Sequence, residues 1–268
     1  MSYKNRIWVY TVAYNEDHFV KHFLTAYAEA EKIVVYDNFS LDRTVSLLSQ
    51  DPRVEIRYFD SGKQIRDDLY LEIKNHAWKE ARDKADWVIV IDFDEVFQRA
   101  RLVDGVPHFD LDLSVPYDEG VTIFRPFGYN MVSLDAPLGS DGHPFEYVQK
   151  GSYHDPAEKL CCFRPDQILE INYIPGCHGA KPKGNVKMLW HKDYKMLHYR
   201  YWNLEHDMEE MADHASRISD WNKRMGAGMH YLASPEYTRG MITNGFKLSE
   251  YLFDIIRDDS CGPNRFYQ

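Results

Sequence analysis

The chain has 268 residues, 44% hydrophobic and 15% aromatic, which is enough apolar material for a large core and excludes a disordered chain. A net charge of −10 without any Lys/Arg block excludes a surface that holds nucleic acid by neutralising phosphates, so an anionic ligand must be met by a metal, a helix N-terminus or single basic residues. Cys161, Cys162, Cys177 and Cys261 show neither C-x-x-C spacing nor the density of a disulfide framework, which fits a reducing compartment.

Met1–Arg6 leads into a strand rather than an apolar leader, and no run of 18 apolar residues occurs, so the expectation is a cytoplasmic protein with at most peripheral membrane contact. Ile7–Val12 reads as a buried first strand, and Ala13-Tyr14-Asn15-Glu16-Asp17 as the turn after it. Asn15 suits the cap of the next helix, with Glu16 and Asp17 complementing its dipole. A second strand, Lys32–Tyr36, ends at Asp37-Asn38-Phe39-Ser40, where Asp42 or Ser40 suits a helix cap and leaves Asp37 for a ligand. Val54–Phe59 is a third strand. A helix is expected over Gln64–Lys84, with Ile65, Leu69, Ile73, Ala77 and Ala81 four apart on one face.

That helix delivers the chain to Asp86-Trp87-Val88-Ile89-Val90-Ile91-Asp92-Phe93-Asp94-Glu95. An apolar run that ends in three carboxylates is how a buried parallel strand looks when it terminates at a site. Strand alternation puts Asp92 and Asp94 on one side, where two like charges call for a hard cation such as Mg²⁺ or Mn²⁺. Alternating strands and helices of this kind make a doubly wound α/β sheet, which binds ligands outside the carboxyl ends of its strands.

Beyond Glu95 the pattern loosens. Glu119–Phe127 suits a strand, and Gly128–Gly151, rich in Gly, Pro and Asp, suits a mobile lid over the crevice. Short strands are expected at Lys159–Arg164, Ile168–Tyr173 and Lys195–Arg200, with Pro175-Gly176-Cys177-His178-Gly179-Ala180 between them. His178, flanked by glycines that allow close backbone approach, is assigned with Glu95 to the acceptor or phosphate side. Helical pattern returns over Leu204–Arg224 and Pro235–Arg257 and reads as C-terminal packing. No linker or repeat divides the chain, so one domain over 1–268 is expected: a nucleotide-binding half (1–100), an acceptor and metal-completing part (101–200) and C-terminal helices (201–268).

Tyr14-Asn15-Glu16, the run Asp37-Asn38-x-Ser40-x-Asp42-x-Thr44, Trp87–Glu95 and Leu197-His198-Tyr199 occur in the order and spacing of one family. With them the chain resembles the family 2 glycosyltransferases of the GT-A fold, in the branch with a DxDE motif and a downstream His-Tyr. The resemblance implies a Rossmann-like, mostly parallel sheet flanked by helices. It also implies transfer of a sugar from a nucleotide-diphosphate donor, a UDP-sugar first among candidates, to a hydroxyl of a glycan or lipid-linked glycan. By the same resemblance Ala13, Tyr14, Asn15, Glu16, Asp37, Asn38 and Asp92 hold the nucleotide. Arg66, with Lys63, is the local positive charge beside it. Asp92, Asp94 and His198 hold Mn²⁺ or Mg²⁺, a neutral imidazole being a competent ligand for Mn²⁺. Inverting relatives carry a carboxylate base after the acidic motif; no unambiguous counterpart stands here, and Asp155 and Glu158 are the candidates.

Two other classes are compatible with parts of this pattern. A metal-dependent sugar nucleotidyltransferase needs a Gly-rich phosphate loop after the first strand, and Ala13-Tyr14-Asn15 is the wrong material for one. A non-catalytic carbohydrate-binding protein fits the Tyr and Trp content, but leaves the acid pair and His198 without a role.

Overall fold

The computed structural model describes residues 5–257 and the backbone of 265–267; Cys261 and residues 1–4 lie outside that range. The first half alternates as expected: β1 (Ile7–Ala13), α1 (Val20–Ala26), β2 (Lys32–Asp37), α2 (Thr44–Leu48), β3 (Val54–Tyr58), α3 (Asp67–His76) and β4 (Trp87–Asp92). These strands run parallel in the order β3-β2-β1-β4. Helices cross over between them, so β1 and β4 are buried along nearly their whole length and must be apolar throughout.

Helix α3 stops at His76, short of the expected Lys84, and tightens into a single turn of 3₁₀-helix over Ala77–Ala81. Within that segment the Trp78 ring is fully buried and packs edge-on to Phe163, at a centroid distance of 4.8 Å. The expected apolar face is only partly sealed, since Leu69 and Ile73 are half-buried while Lys74 is buried.

The second half adds β5 (Glu95–Val103), β6 (Val106–Asp110), α4 (Ser114–Asp118), β7 (Ile123–Phe124), β8 (Phe127–Val132), β9 (Lys150–Tyr153), β10 (Cys162–Phe163), β11 (Ile168–Glu170), β12 (Lys183–Gly184), β13 (Met188–Trp190) and β14 (Tyr194–Tyr201). The C-terminal part holds α5 (Leu204–Arg217), α6 (Asp220–Met225), α7 (Pro235–Leu248), β15 (Glu250–Tyr251), α8 (Leu252–Arg257) and β16 (Arg265–Tyr267). Strands β10, β7, β13 and β16 extend the parallel half beyond β4 into a mixed eight-stranded sheet, and a separate six-stranded sheet runs β15-β9-β8-β14-β5-β6. The fold is α/β. The acidic turn Phe93-Asp94 joins the two sheets, with β4 entering from the first and β5 leaving into the second.

Gly128–Gly151 is not a lid. Its first residues belong to β8, which pairs in parallel with β14. Ala136, Pro144 and Val148 are buried, and His143 bonds Gln98 of β5 at 2.8 Å. Its glycines and prolines shape turns that pack against the core, a distinction composition does not carry.

Helices α5, α6 and α7 begin at Asn203, Ser219 and Ser234, whose side chains accept from the backbone N–H three residues on. They are fastened to the start of α3: the Ile65 N–H donates to Arg217 O at 2.8 Å, and Asn222 Nδ2 donates to Asp67 Oδ1 at 3.0 Å. The C-terminal helices therefore stand over the carboxyl ends of the parallel strands rather than merely packing behind them. No helix among the described residues is long and apolar enough to cross a membrane.

Candidate active site

A cavity of about 650 Å³ opens at the carboxyl ends of β1 and β4, between the two sheets and the C-terminal helices. Ala13 at the end of β1 and Tyr14 just after it line the cavity, with Asp67, Tyr70 and Lys74 from α3, Asp92 at the end of β4, Asp94 in the acidic turn, and His214 and Arg217 from α5. This is the crevice that open parallel sheets use for ligands.

Ladder register builds its centre. His198 on β14 lies opposite Glu95 of β5 on one side and Asn130 of β8 on the other, and Tyr199 N–H donates to Asp94 O at 2.8 Å. The imidazole is thereby carried to Asp94: His198 Nε2 sits 3.0 Å from Asp94 Oδ2, and His198 Nδ1 lies 3.1 Å from Asn130 Oδ1. An amide oxygen only accepts, so Nδ1 carries a proton and Nε2 faces the carboxylate. Burial pushes Asp94 up, but His198 and Arg200 outweigh it and hold its carboxyl well below the usual carboxylate range. For His198, burial works downward and the Asp94 charge prevails, raising the ring above its ordinary value.

Asp92 is engaged differently. One of its oxygens bonds Lys74 Nζ, the other lies 2.6 Å from Lys159 Nζ, and Lys159 reaches Glu95 Oε1 at 2.6 Å. Glu95 Oε2 in turn accepts from Asp92 N–H at 3.1 Å. Burial pushes Asp92 up, yet the two ammonium groups hold it well below the usual range, while both lysines are raised by the carboxylates they face. Both Asp92 oxygens thus carry an ammonium partner, whereas Asp94 and His198, the other two expected ligands, face each other directly. Glu95, fully buried beneath Lys159, supports that lysine and does not line the cavity, contrary to its assignment to the acceptor side.

Among the described residues no group of three or more His, Cys, Asp or Glu converges on a metal position. Asp94 and His198 form a two-donor set. That set fits a hard divalent ion that takes its remaining oxygens from substrate phosphates and water. Asn130 fixes the ring through Nδ1, as partners of metal-binding histidines do.

The other expected residues separate cleanly. Ala13, Tyr14 and Glu16 line the cavity, and Tyr14 stacks under the Arg217 guanidinium at 4.3 Å. Burial, with Glu210 and Asp94 nearby, pushes the Glu16 carboxyl well above its ordinary value. Asn15, Asp37 and Asn38 do not line the cavity but tie loops together. Asn15 Oδ1 accepts from Leu41 N–H at 2.7 Å, Asp37 holds Ser40 through both its oxygens, and Asn38 exchanges bonds with Ser61. Arg66 pairs with Asp68 outside the cavity.

Neither candidate base faces the cavity. Asp155 is exposed on a 3₁₀ turn, and Glu158 is buried between Arg125 Nε at 2.8 Å and Tyr153 Oη at 2.6 Å. Their neighbours His154 and Lys159 line it instead. His178 does line the cavity, and the role of its flanking glycine differs from the expectation: a Cβ on Gly176 would stand 2.6 Å from His178 Cδ2, so that glycine makes room for the ring itself.

Lys74, Lys159, Arg200, Arg217 and His214 are site residues that sequence reasoning did not select. For Lys74 a signal existed: Asp67, Tyr70, Leu71 and Lys74 recur at i, i+3, i+4 and i+7, a largely polar stripe along an otherwise ordinary helix. Of the rest, His214 and Arg217 reach the site through the docking of α5, Arg200 is carried there on β14, and Lys159 by the segment between the 155–157 turn and β10.

Fold and site together define an α/β protein with an acid–imidazole pair and a lysine pair at the carboxyl end of its parallel strands. No protein-family model and no curated protein matches the chain. Several solved structures do. One is glucosyl-3-phosphoglycerate synthase from Mycobacterium tuberculosis in complex with Mn²⁺, UDP and glucosyl-3-phosphoglycerate, at 17% identity and a TM-score of 0.28, covering 46% of this chain and 44% of that one. Another is a mycobacterial protein at 16% identity and a TM-score of 0.28, covering 47% and 41%. The chain spans less than half the length of either, and its function is argued from its own residues.

Proposed function

We propose that the chain is a nucleotide-sugar-dependent glycosyltransferase of the GT-A type, moving a sugar from a nucleoside-diphosphate donor to a hydroxyl of a glycan or lipid-linked acceptor. The observation that carries this reading is the meeting of Asp94 and His198, 104 positions apart, at 3.0 Å on the lip of a parallel strand. Such a placement suits a bound diphosphate better than a structural ion pair, because the cavity in front of it is open to ligand.

In this reading Asp94 and His198 hold Mn²⁺ or Mg²⁺, and Asn130 keeps His198 Nε2 aimed at it. A divalent ion there would supply Lewis-acid stabilisation of the charge that collects on the departing diphosphate. Lys74 and Lys159 line the same wall, where Asp92 and Glu95 keep both ammonium groups charged and fixed in place. Tyr14, backed by Arg217, offers a ring face to the nucleotide beside β1.

The test is a thermal-shift panel of nucleotide sugars with and without Mn²⁺, followed by detection of the released nucleotide. A donor that stabilises only with metal and yields a nucleoside diphosphate supports the reading. Release of pyrophosphate from a triphosphate identifies a nucleotidyltransferase instead.

A further inference from the structure

The glycosyl-transfer reading leaves one role vacant, the group that takes the proton of the attacking hydroxyl. We infer that His178 is that general base, acting through Nε2. The assignment rests on the glycosyl-transfer reading and goes beyond it by naming the residue.

His178 Nδ1 lies 2.9 Å from Pro156 O. A carbonyl oxygen has no proton to give, so Nδ1 carries one, and in the neutral ring Nε2 is the bare, basic nitrogen. The ring lines the cavity. Its position is built rather than incidental. Gly176 and Cys177 both adopt positive φ, 73° and 54°, to present the next residue, and a Cβ on Gly176 would come within 2.9 Å of Nε2. A backbone carbonyl that fixes the tautomer and a turn that leaves the second nitrogen open are what a base requires.

Several carboxylates are committed: Glu158 is held by Arg125 and Tyr153, Asp92 by its two lysines, Asp94 by His198, and Asp67 accepts from Asn222, while Glu16 and Glu210 also line the cavity. His178, His154, Asp94 and His198 line the same cavity. The titratable groups around His178 are Asp67 and Lys74 on α3, Cys177 beside it, His154 before the 155–157 turn, and His230 under α5.

In the step, Nε2 takes the hydroxyl proton as the acceptor oxygen bonds the anomeric carbon. The bond from that carbon to the diphosphate oxygen breaks, and its electron pair leaves with the diphosphate.

The experiment uses water as acceptor and measures nucleoside diphosphate released from the nucleotide sugar that stabilises the wild type most, with Mn²⁺ present. His178→Ala should slow release by about a hundredfold or more, leave Mn²⁺-dependent nucleotide affinity unchanged, and lose the acid limb of the rate–pH profile. Added imidazole should restore part of the rate. In the wild type, ¹⁵N NMR should show the His178 ring protonated at Nδ1. Release at near wild-type rate with the acid limb intact overturns the assignment, as does parallel loss of nucleotide affinity or an Nε2-protonated ring. Release of pyrophosphate from a nucleoside triphosphate by the wild type overturns the glycosyl-transfer reading, and the base assignment with it.

Discussion

Asp92→Ala separates two roles for the first acid of the D-x-D motif. Lys159 keeps Glu95 at 2.6 Å, but Lys74, whose side chain is 6% exposed, has no other carboxylate bonded to it among the described residues. Removing one partner of a buried ion pair costs about 3–5 kcal/mol, because the remaining charge stays desolvated. Against a total stability of about 5–15 kcal/mol this is a large fraction. At about 2–4 °C per kcal/mol it lowers the melting temperature by roughly 6–20 °C. Scanning calorimetry and urea unfolding without metal measure it. Asp92→Ala combined with Lys74→Met should recover a good part of the loss, since the stranded ammonium is gone. If Asp92 were chiefly a metal ligand, the single variant would keep its metal-free stability and lose Mn²⁺ binding. A loss below about 1 kcal/mol, or a double variant no better than the single, would refute the ion-cluster account.

Further outcomes follow from the same geometry. Asp94→Asn and His198→Ala should each abolish the extra stabilisation by nucleotide sugar that Mn²⁺ confers, about 2.7 kcal/mol at a hundred times the dissociation constant; either variant retaining it removes that residue from the metal site. Asp37→Ala should cost about 1–3 kcal/mol by stranding Ser40 N–H and Oγ, with nucleotide affinity unchanged in calorimetry; the opposite pattern would return Asp37 to nucleotide contact. His18 and His143 are both lowered to about 4 by burial, assisted by His206 and His22 respectively. The unfolded chain then binds more protons between pH 6.5 and 4, so their contribution is complete above pH 6.5 and is lost as pH falls, by up to about 1.4 kcal/mol per unit for each ring. His143→Gln should flatten that slope in urea unfolding across the range, and an unchanged slope would contradict it.

The parallel half is legible in the sequence because its physics is local. Strands buried on both faces, such as Trp87–Asp92, must be apolar throughout, and the acids that end them mark the lip. Asp94 and His198 were selected from that strand-end logic and from the spacing of the acidic and His-Tyr segments. What the sequence could not determine is which acids remain free. Asp37, Asp92, Glu95 and Glu158 look equivalent in one dimension. Asp37 is committed by Ser40 three residues on, but Asp92, Glu95 and Glu158 are committed by partners distant in sequence: Lys74 and Lys159 for Asp92, Lys159 for Glu95, and Arg125 for Glu158. A charge buried near others is worth what its neighbours make it, and those neighbours are set by sheet register and helix docking. The second sheet was hidden for the same reason. Its central strands β5, β8 and β14 are largely buried but come from separated parts of the chain, and Gly128–Gly151 reads as loop until β14 arrives beside Phe127–Val132 to complete it. Only tertiary structure brings α5 and α6 over the strand ends, through Ile65–Arg217 and Asp67–Asn222, and turns what reads as packing into the outer wall of the site.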